Sequence, residues 1–306
     1  MKNNTTGLAT ILALATAFIS GVSLFVNKFA VSAIKDPILF ATLKNSLVAV
    51  FIIGIMLVFK RWNEIRLLTR SQWLKLFAVG AIGGALPFAL FFWGLAQTSA
   101  VNGAFIHKTL FLWVAFLAIP FLKERMVWQQ WAGIILVFVG NLFIGGFTEF
   151  KFNAGEAAIL AATILWAIEN IVAKKALVDI SSMTVGAARM VIGSVLLIGY
   201  VAIFGNFAPV FALTPTQGGW IILTGVFLTG YVLTWYAALK RAPATFVATL
   251  LVPATLITNI LSALFITHTL TGRDLTSAVM YGTGIFLIVF FANRIKIVPY
   301  LQPRKL

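Results

Sequence analysis

Apolar runs of about twenty residues alternate with short polar breaks along the whole chain, and a bilayer core takes about that many residues per helix. Reading the runs between charges and Gly, Pro or Asn breaks predicts ten helices, at about 8–30, 37–59, 74–95, 100–122, 127–147, 155–176, 182–205, 218–238, 243–266 and 275–295. Most connections are short, so neighbouring helices should be antiparallel hairpins. The longest, NFAPVFALTPTQ at 206–217, is uncharged, contains proline and is too short for a domain. The pattern predicts an all-α membrane protein embedded in a lipid bilayer.

Composition strengthens that reading. The chain is 61% hydrophobic and 10% charged, against about 25% charged in soluble domains. A net charge of +15 would suit nucleic acid, but Lys and Arg punctuate the gaps between apolar runs instead of forming one basic domain, so no nucleic-acid partner is expected. With a cytoplasmic N-terminus, sixteen basic residues fall in inside connections or tails: Lys2, Lys60, Arg61, Arg66, Arg70, Lys75, Lys123, Arg125, Lys174, Lys175, Lys240, Arg241, Arg294, Lys296, Arg304 and Lys305. Four (Lys28, Lys35, Lys151 and Arg273) fall on the other side. The positive-inside rule then places both termini in the cytoplasm. There is no cysteine, and His107 and His268 are far apart, so neither a metal nor another cofactor is expected.

The two halves repeat weakly. VNKFAVSAIKDPILFATLKNSL (26–47) lies over VAKKALVDISSMTVGAARMVI (172–192), matching Lys28 with Lys174 and Lys44 with Arg189. LAQTSA (95–100) lies over LKRAPA (239–244), and Gly140 over Gly284. Five helices per half invert the second copy in the membrane, an arrangement common in secondary transporters, whose substrate sites lie near midplane between repeats. The expected units are residues 1–148 and 149–306, around a central cavity. Gly80, Gly83, Gly84 and Pro87 should let the third helix pack closely and bend.

The stretch WGLAQTSAVNGAFIHKTLFLWVAFLAIPFLKERMVWQQWAGIILVFVGNLFIGG (93–146) resembles the fourth and fifth helices, with their Leu-Lys-Glu-Arg turn, of EamA-type carriers in the drug/metabolite transporter superfamily. The resemblance covers all ten helices and is looser in the second half, where His268 aligns with Glu124. It implies a carrier in a bacterial or archaeal cytoplasmic (inner) membrane, with helices four, six and eight around the cavity. A homodimer stays open.

A charge at a helix centre costs about 2.5–3.5 kcal/mol on the insertion scale, so such residues are functional candidates. Here they are Lys44, Lys108, Glu169 and Arg189, with His107 beside Lys108. Glu169 and Arg189 lie about ten residues either side of one turn, which a rise of about 1.5 Å per residue brings to similar depth. They are expected to form a structural ion pair, with a substrate or proton role open for Glu169. Ser23 aligns with Glu169 in the first half, so Lys44 lacks the matching counter-ion. Lys28, Lys44 and Lys108 should converge at comparable depth without an acid, unless they snorkel outward. Lys108 is the expected anchor for a substrate's negative group, Lys44 its auxiliary, and His107 binds the same ligand or packs. Consecutive helical residues point about 100° apart, so one of His107 and Lys108 can face the cavity while the other faces a neighbouring helix. Trp113, Trp166, Tyr231, Trp235 and Tyr236 are cavity or packing candidates, and Asn102, Asn170 and Asn259 are polar candidates of the same weight.

The leading function is secondary transport, by alternating access, of small polar metabolites with a negative group. Amino acids are favoured because the resemblance implies metabolite exporters. A phosphorylated-metabolite or nucleotide-sugar carrier is the alternative, a lipophilic-cation exporter fits the charges less well, and a channel or scaffold is the reading from another class. An enzyme would need a nucleophile–base pair or metal ligands at one depth, which the two separated histidines do not supply.

Overall fold

The computed structural model describes residues 2–145 and 153–291, nearly all of them helical. The helices are α1 (Lys2–Ile34), α2 (Pro37–Val58), α3 (Arg70–Ala96), α4 (Ala100–Leu122), α5 (Trp128–Gly145), α6 (Ala154–Ala176), α7 (Ser182–Phe204), α8 (Pro215–Arg241), α9 (Ala244–Thr267) and α10 (Gly272–Phe290). Among the described residues, nine of these are long and apolar enough to cross a bilayer, and α5 adds a shorter apolar tenth. Several run beyond the sequence expectation, because capping residues start helices in the polar flanks. Asp36 accepts from the amides of Ile38 and Leu39, with Pro37 in the first turn of α2. Thr69 with Gln72, Asn153 with Glu156 and Thr214 with Gln217 form capping boxes for α3, α6 and α8. The expected ends of the fifth and tenth helices, and Lys151, Arg294, Lys296, Arg304 and Lys305, lie outside the described residues.

Packing follows a two-fold relation between halves. α1 lies against α8 as α3 lies against α6, while α2 packs on α7, α4 on α9 and α5 on α10. Exchanging each helix with its counterpart five helices away maps this set of contacts onto itself, as an inverted repeat requires. Gly133 and Gly284 bring α5 and α10 together so closely that a Cβ on either would sit 2.7 Å from the other's carbonyl oxygen. Large apolar side chains such as Phe18, Phe116, Ile203 and Phe286 point outward, as lipid contact demands.

The repeats also share a lysine contact. Lys28 Nζ donates to the carbonyls of Leu95 (2.9 Å) and Thr98 (2.6 Å) in the α3–α4 turn. Lys174 Nζ donates to Leu239 and Ala242 (both 2.7 Å) in the α8–α9 turn. Those carbonyls occupy matching positions in the aligned stretches LAQTSA and LKRAPA. Lys28 therefore ties down a turn instead of converging with Lys44 and Lys108. Glu124 likewise closes a helix end, accepting from the amides of Ala244 (2.7 Å) and Thr245 (3.1 Å) at the start of α9. The left-handed residues that end α4 and α9 are Lys123 (φ 52°) and His268 (φ 54°). His268 is thus the counterpart of Lys123, one residue before the expected match with Glu124.

Candidate functional site

In α3 the sequence builds an irregularity at the centre of the molecule. Val79–Ala85 winds as a π-helical segment, and Leu86–Ala96 resumes the α-helix with Pro87 in its first turn. Proline has no N–H, so the amide that a regular helix would aim at the carbonyl four residues back, Gly83 O, is missing. Two side chains from other helices take its place. Trp166 Nε1 of α6 donates to Gly83 O at 2.9 Å, and Arg189 Nε of α7 donates to the same oxygen at 3.1 Å. Asn45 Nδ2 of α2 reaches the next carbonyl, Gly84 O, at 3.1 Å.

Gly83 also separates the two charges expected to pair. A Cβ on Gly83 would overlap Glu169 Cγ and approach Arg189 Nε to 3.4 Å. Among the described residues, the side-chain ion pair within 4.0 Å is Arg61–Glu64, on the surface. Glu169 and Arg189 share a depth but form no direct salt bridge, because helix α3 passes between them. Glu169 Oε1 instead accepts from Tyr236 Oη of α8 at 2.5 Å, while Oε2 is buried without a hydrogen-bond partner. The guanidinium carbon of Arg189 stands 5.5 Å from the Phe88 ring and 5.8 Å from that of Tyr236.

The first half solves the matching position differently. Lys44, 1% exposed, donates to Asn27 Oδ1 at 3.1 Å and stands over the rings of Phe92 (4.2 Å), Phe40 (5.4 Å) and Phe88 (6.0 Å). Phe92 is the counterpart of Tyr236 and Ser23 of Glu169, so an aromatic face replaces the hydroxyl–carboxyl pair. A cation–π contact is worth about 2 kcal/mol when desolvated, which leaves Lys44 held but short of an anion.

His107 and Lys108 divide as helical spacing requires, with the roles opposite to expectation. His107 faces the cavity, its ring 4.9 Å from Trp166 and 5.3 Å from Phe91. Lys108 turns behind the wall toward α1, where Nζ donates to Ser20 Oγ at 2.7 Å and lies 3.4 Å from His107 Nδ1. The cavity wall includes Lys44, His107, Trp166, Glu169, Asn170, Arg189, Tyr231 and Trp235 but not Lys108. Trp235 Nε1 donates to Asn170 Oδ1 at 3.0 Å, and Tyr231 stacks on Trp235.

Three other sequence candidates lie away from this wall. Asn102 donates to Glu156 Oε1 at 3.0 Å, near the α3–α4 turn. Asn259 donates to Asp274 Oδ1 at 2.5 Å, at the start of α10. Trp113 donates to Thr109 Oγ1 at 3.3 Å beside the interruption that splits α4. All three satisfy helix ends or breaks. Sequence reasoning missed Ser20 and Asn27, which line the wall with Ser23. Their spacing on α1 is the visible signal, a polar stripe on one face of an apolar helix.

The cavity therefore gathers two cations, a carboxyl, amides and aromatic rings from both halves. The EamA-like transporter family profile matches residues 7–146 and again residues 153–290. An uncharacterized transporter of Archaeoglobus fulgidus is 27% identical over 183 residues, 58% of this chain and 63% of that protein. The uncharacterized transporter YyaM of Bacillus subtilis is 33% identical over 135 residues, 42% of this chain and 44% of its own length. A second Archaeoglobus fulgidus transporter is 23% identical over 288 residues, covering 91% of this chain and 97% of that one. The chain thus aligns to less than two thirds of the first two relatives and to nearly the whole of the third. One solved crystal structure superposes with a TM-score of 0.73 at 15% identity, covering 92% of this chain and 97% of the other, which shows a shared fold. The matching of both halves to one profile, on helices long and apolar enough to cross a bilayer, shows that this multi-pass membrane protein belongs to the EamA-like transporter family.

Proposed function

We propose that this transporter is a secondary carrier working by alternating access on small polar metabolites with a negative group, amino acids first among them. Lys44 carries the reading. It is buried in the cavity wall with one hydrogen bond, to a neutral amide, and no carboxylate for a partner, and a buried charge without a counter-ion is costly. A ligand carboxylate would complete it, with the surrounding rings contacting the rest of the ligand. Arg189, at the matching position of the second half, keeps a phosphorylated metabolite as the second reading, since it supplies another cation on the same wall.

Trp166 and Trp235 line the cavity and serve as reporters. Purified protein titrated with L-amino acids, their carboxamides and sugar phosphates should quench or shift their fluorescence. Amino acids should bind more tightly than the carboxamides. A charged hydrogen bond contributes about 1.5–3 kcal/mol, so Lys44→Met should weaken carboxylate binding about 10- to 100-fold and carboxamide binding far less. Equal losses for acid and amide would sink the anion-binding role. Preference for the sugar phosphates would select the second reading.

A further inference from the structure

Resting on the carrier reading, we infer that Glu169 is the proton site of this transporter, taking up a proton from cavity water on one side and releasing it on the other. The carboxyl is 1% exposed and on the cavity wall. Tyr236 donates to one of its oxygens, and the other has no hydrogen-bond partner. An ionised carboxylate so placed would leave one charged oxygen buried without a donor, at a cost of several kcal/mol. The observed contacts suit the acid form, whose carbonyl oxygen accepts from Tyr236 while the proton sits on Oε2.

The groups around it explain why no cation takes the proton's place here. On α7, Arg189 gives its Nε to the Gly83 carbonyl and reaches Glu169 only through space and through the hydroxyl of Tyr236, which bonds to both. On α8, Tyr236 is the donor, and Tyr231 stacks on Trp235 nearby on the wall. On α4, His107 packs on Trp166, and Lys108 is turned to Ser20. On α2, Lys44 is bound to Asn27, and the segment of α3 against Glu169 presents the backbone of Gly83, with no titratable side chain. Losing the proton creates an anion that must draw Arg189 past Gly83 or bind the cationic group of a ligand. Either response changes how α3 and α7 pack, and this links the proton to the conformational cycle.

Infrared difference spectroscopy between acidic and alkaline buffer, on purified protein without substrate, tests the site directly. Wild type should show the carbonyl stretch of a protonated carboxyl disappearing as pH rises, and Glu169→Gln should lack that band. Tyr236→Phe keeps the carboxyl but removes its donor, so the band should move to higher frequency. A wild-type spectrum unchanged in Glu169→Gln, or a band unmoved in Tyr236→Phe, overturns the assignment. Counterflow of radiolabelled amino acids in wild-type liposomes checks the carrier reading separately. Its absence there removes that reading whatever the spectra show, whereas net uptake of the same amino acids indifferent to an imposed pH gradient removes the coupling role of Glu169.

Discussion

A methyl group added at position 83 would overlap the Cγ of Glu169, an atom too close to its own backbone to swing away freely. Gly83→Ala therefore forces either α6 or the π-helical turn of α3 to shift, and overpacking of this kind typically costs about 1–3 kcal/mol. The same shift would disturb the Gly83 carbonyl that Trp166 and Arg189 share. The variant should melt at lower temperature in detergent and lose the fluorescence response of Trp166 to ligand. Gly218→Ala, where nothing lies near an added Cβ, is the control. Equal melting temperatures for the two variants would show that α3 does not wedge the charges apart. The intramembrane charges were legible in the sequence, because each is a costly exception in an apolar run. Their partners were not, since the partner of Arg189 is a carbonyl released by a proline rather than a side chain of opposite sign.

At the scale of elements, the repeat uses one device twice with different surroundings. Lys28 and Lys174 each tether the turn after the third helix of their half, but Lys174 is 4% exposed and Lys28 is half-buried. Methionine removes three charge-assisted hydrogen bonds at position 28 and two at position 174 while preserving the stem. Water can replace the ammonium at the Lys28 turn far better than at the Lys174 turn, where stranded carbonyls cost about 1–3 kcal/mol. Lys174→Met should thus lower the melting temperature clearly more than Lys28→Met, and the reverse order would show that burial of the turn does not set the cost. Helix number and order could be read from the apolar runs, and the register of the repeats from the aligned lysines. Helix interruptions were harder to read. Pro253 stands just before the second segment of α9, whereas the break in α4 falls at Thr109, a residue with no comparable helix-breaking signature.

At the scale of the whole molecule, the fold sorts the connections onto two faces, and charge follows the sorting. Arg61, Arg66, Lys123, Arg125, Lys240 and Arg241 lie in or beside the connections 59–69, 123–127 and 242–243, on one face of the antiparallel array. Contacts across that face agree with a single level: Thr184 donates to Glu64 Oε2 at 2.8 Å, Lys240 to the Ile180 carbonyl at 2.9 Å, and the α9 amides to Glu124. The opposite face is tied by Lys28 to the α3–α4 turn and by Gln217 Nε2 to the Ala33 carbonyl at 2.8 Å. Basic residues near helix ends are retained on the cytoplasmic side during insertion, so the basic face should be the inner one and both termini should be cytoplasmic. The chain contains no cysteine, and Thr69 and Thr214 are exposed N-cap residues on opposite faces. Single cysteines there cost one cap each, about 1 kcal/mol, which a protein of this size should tolerate. In intact cells a membrane-impermeant maleimide should label Thr214→Cys and leave Thr69→Cys unmodified until the membrane is opened. The opposite pattern would reverse the orientation, and labelling of both from outside would break the ten-helix arrangement itself, because an odd number of spans would then have to be lost between α3 and α8.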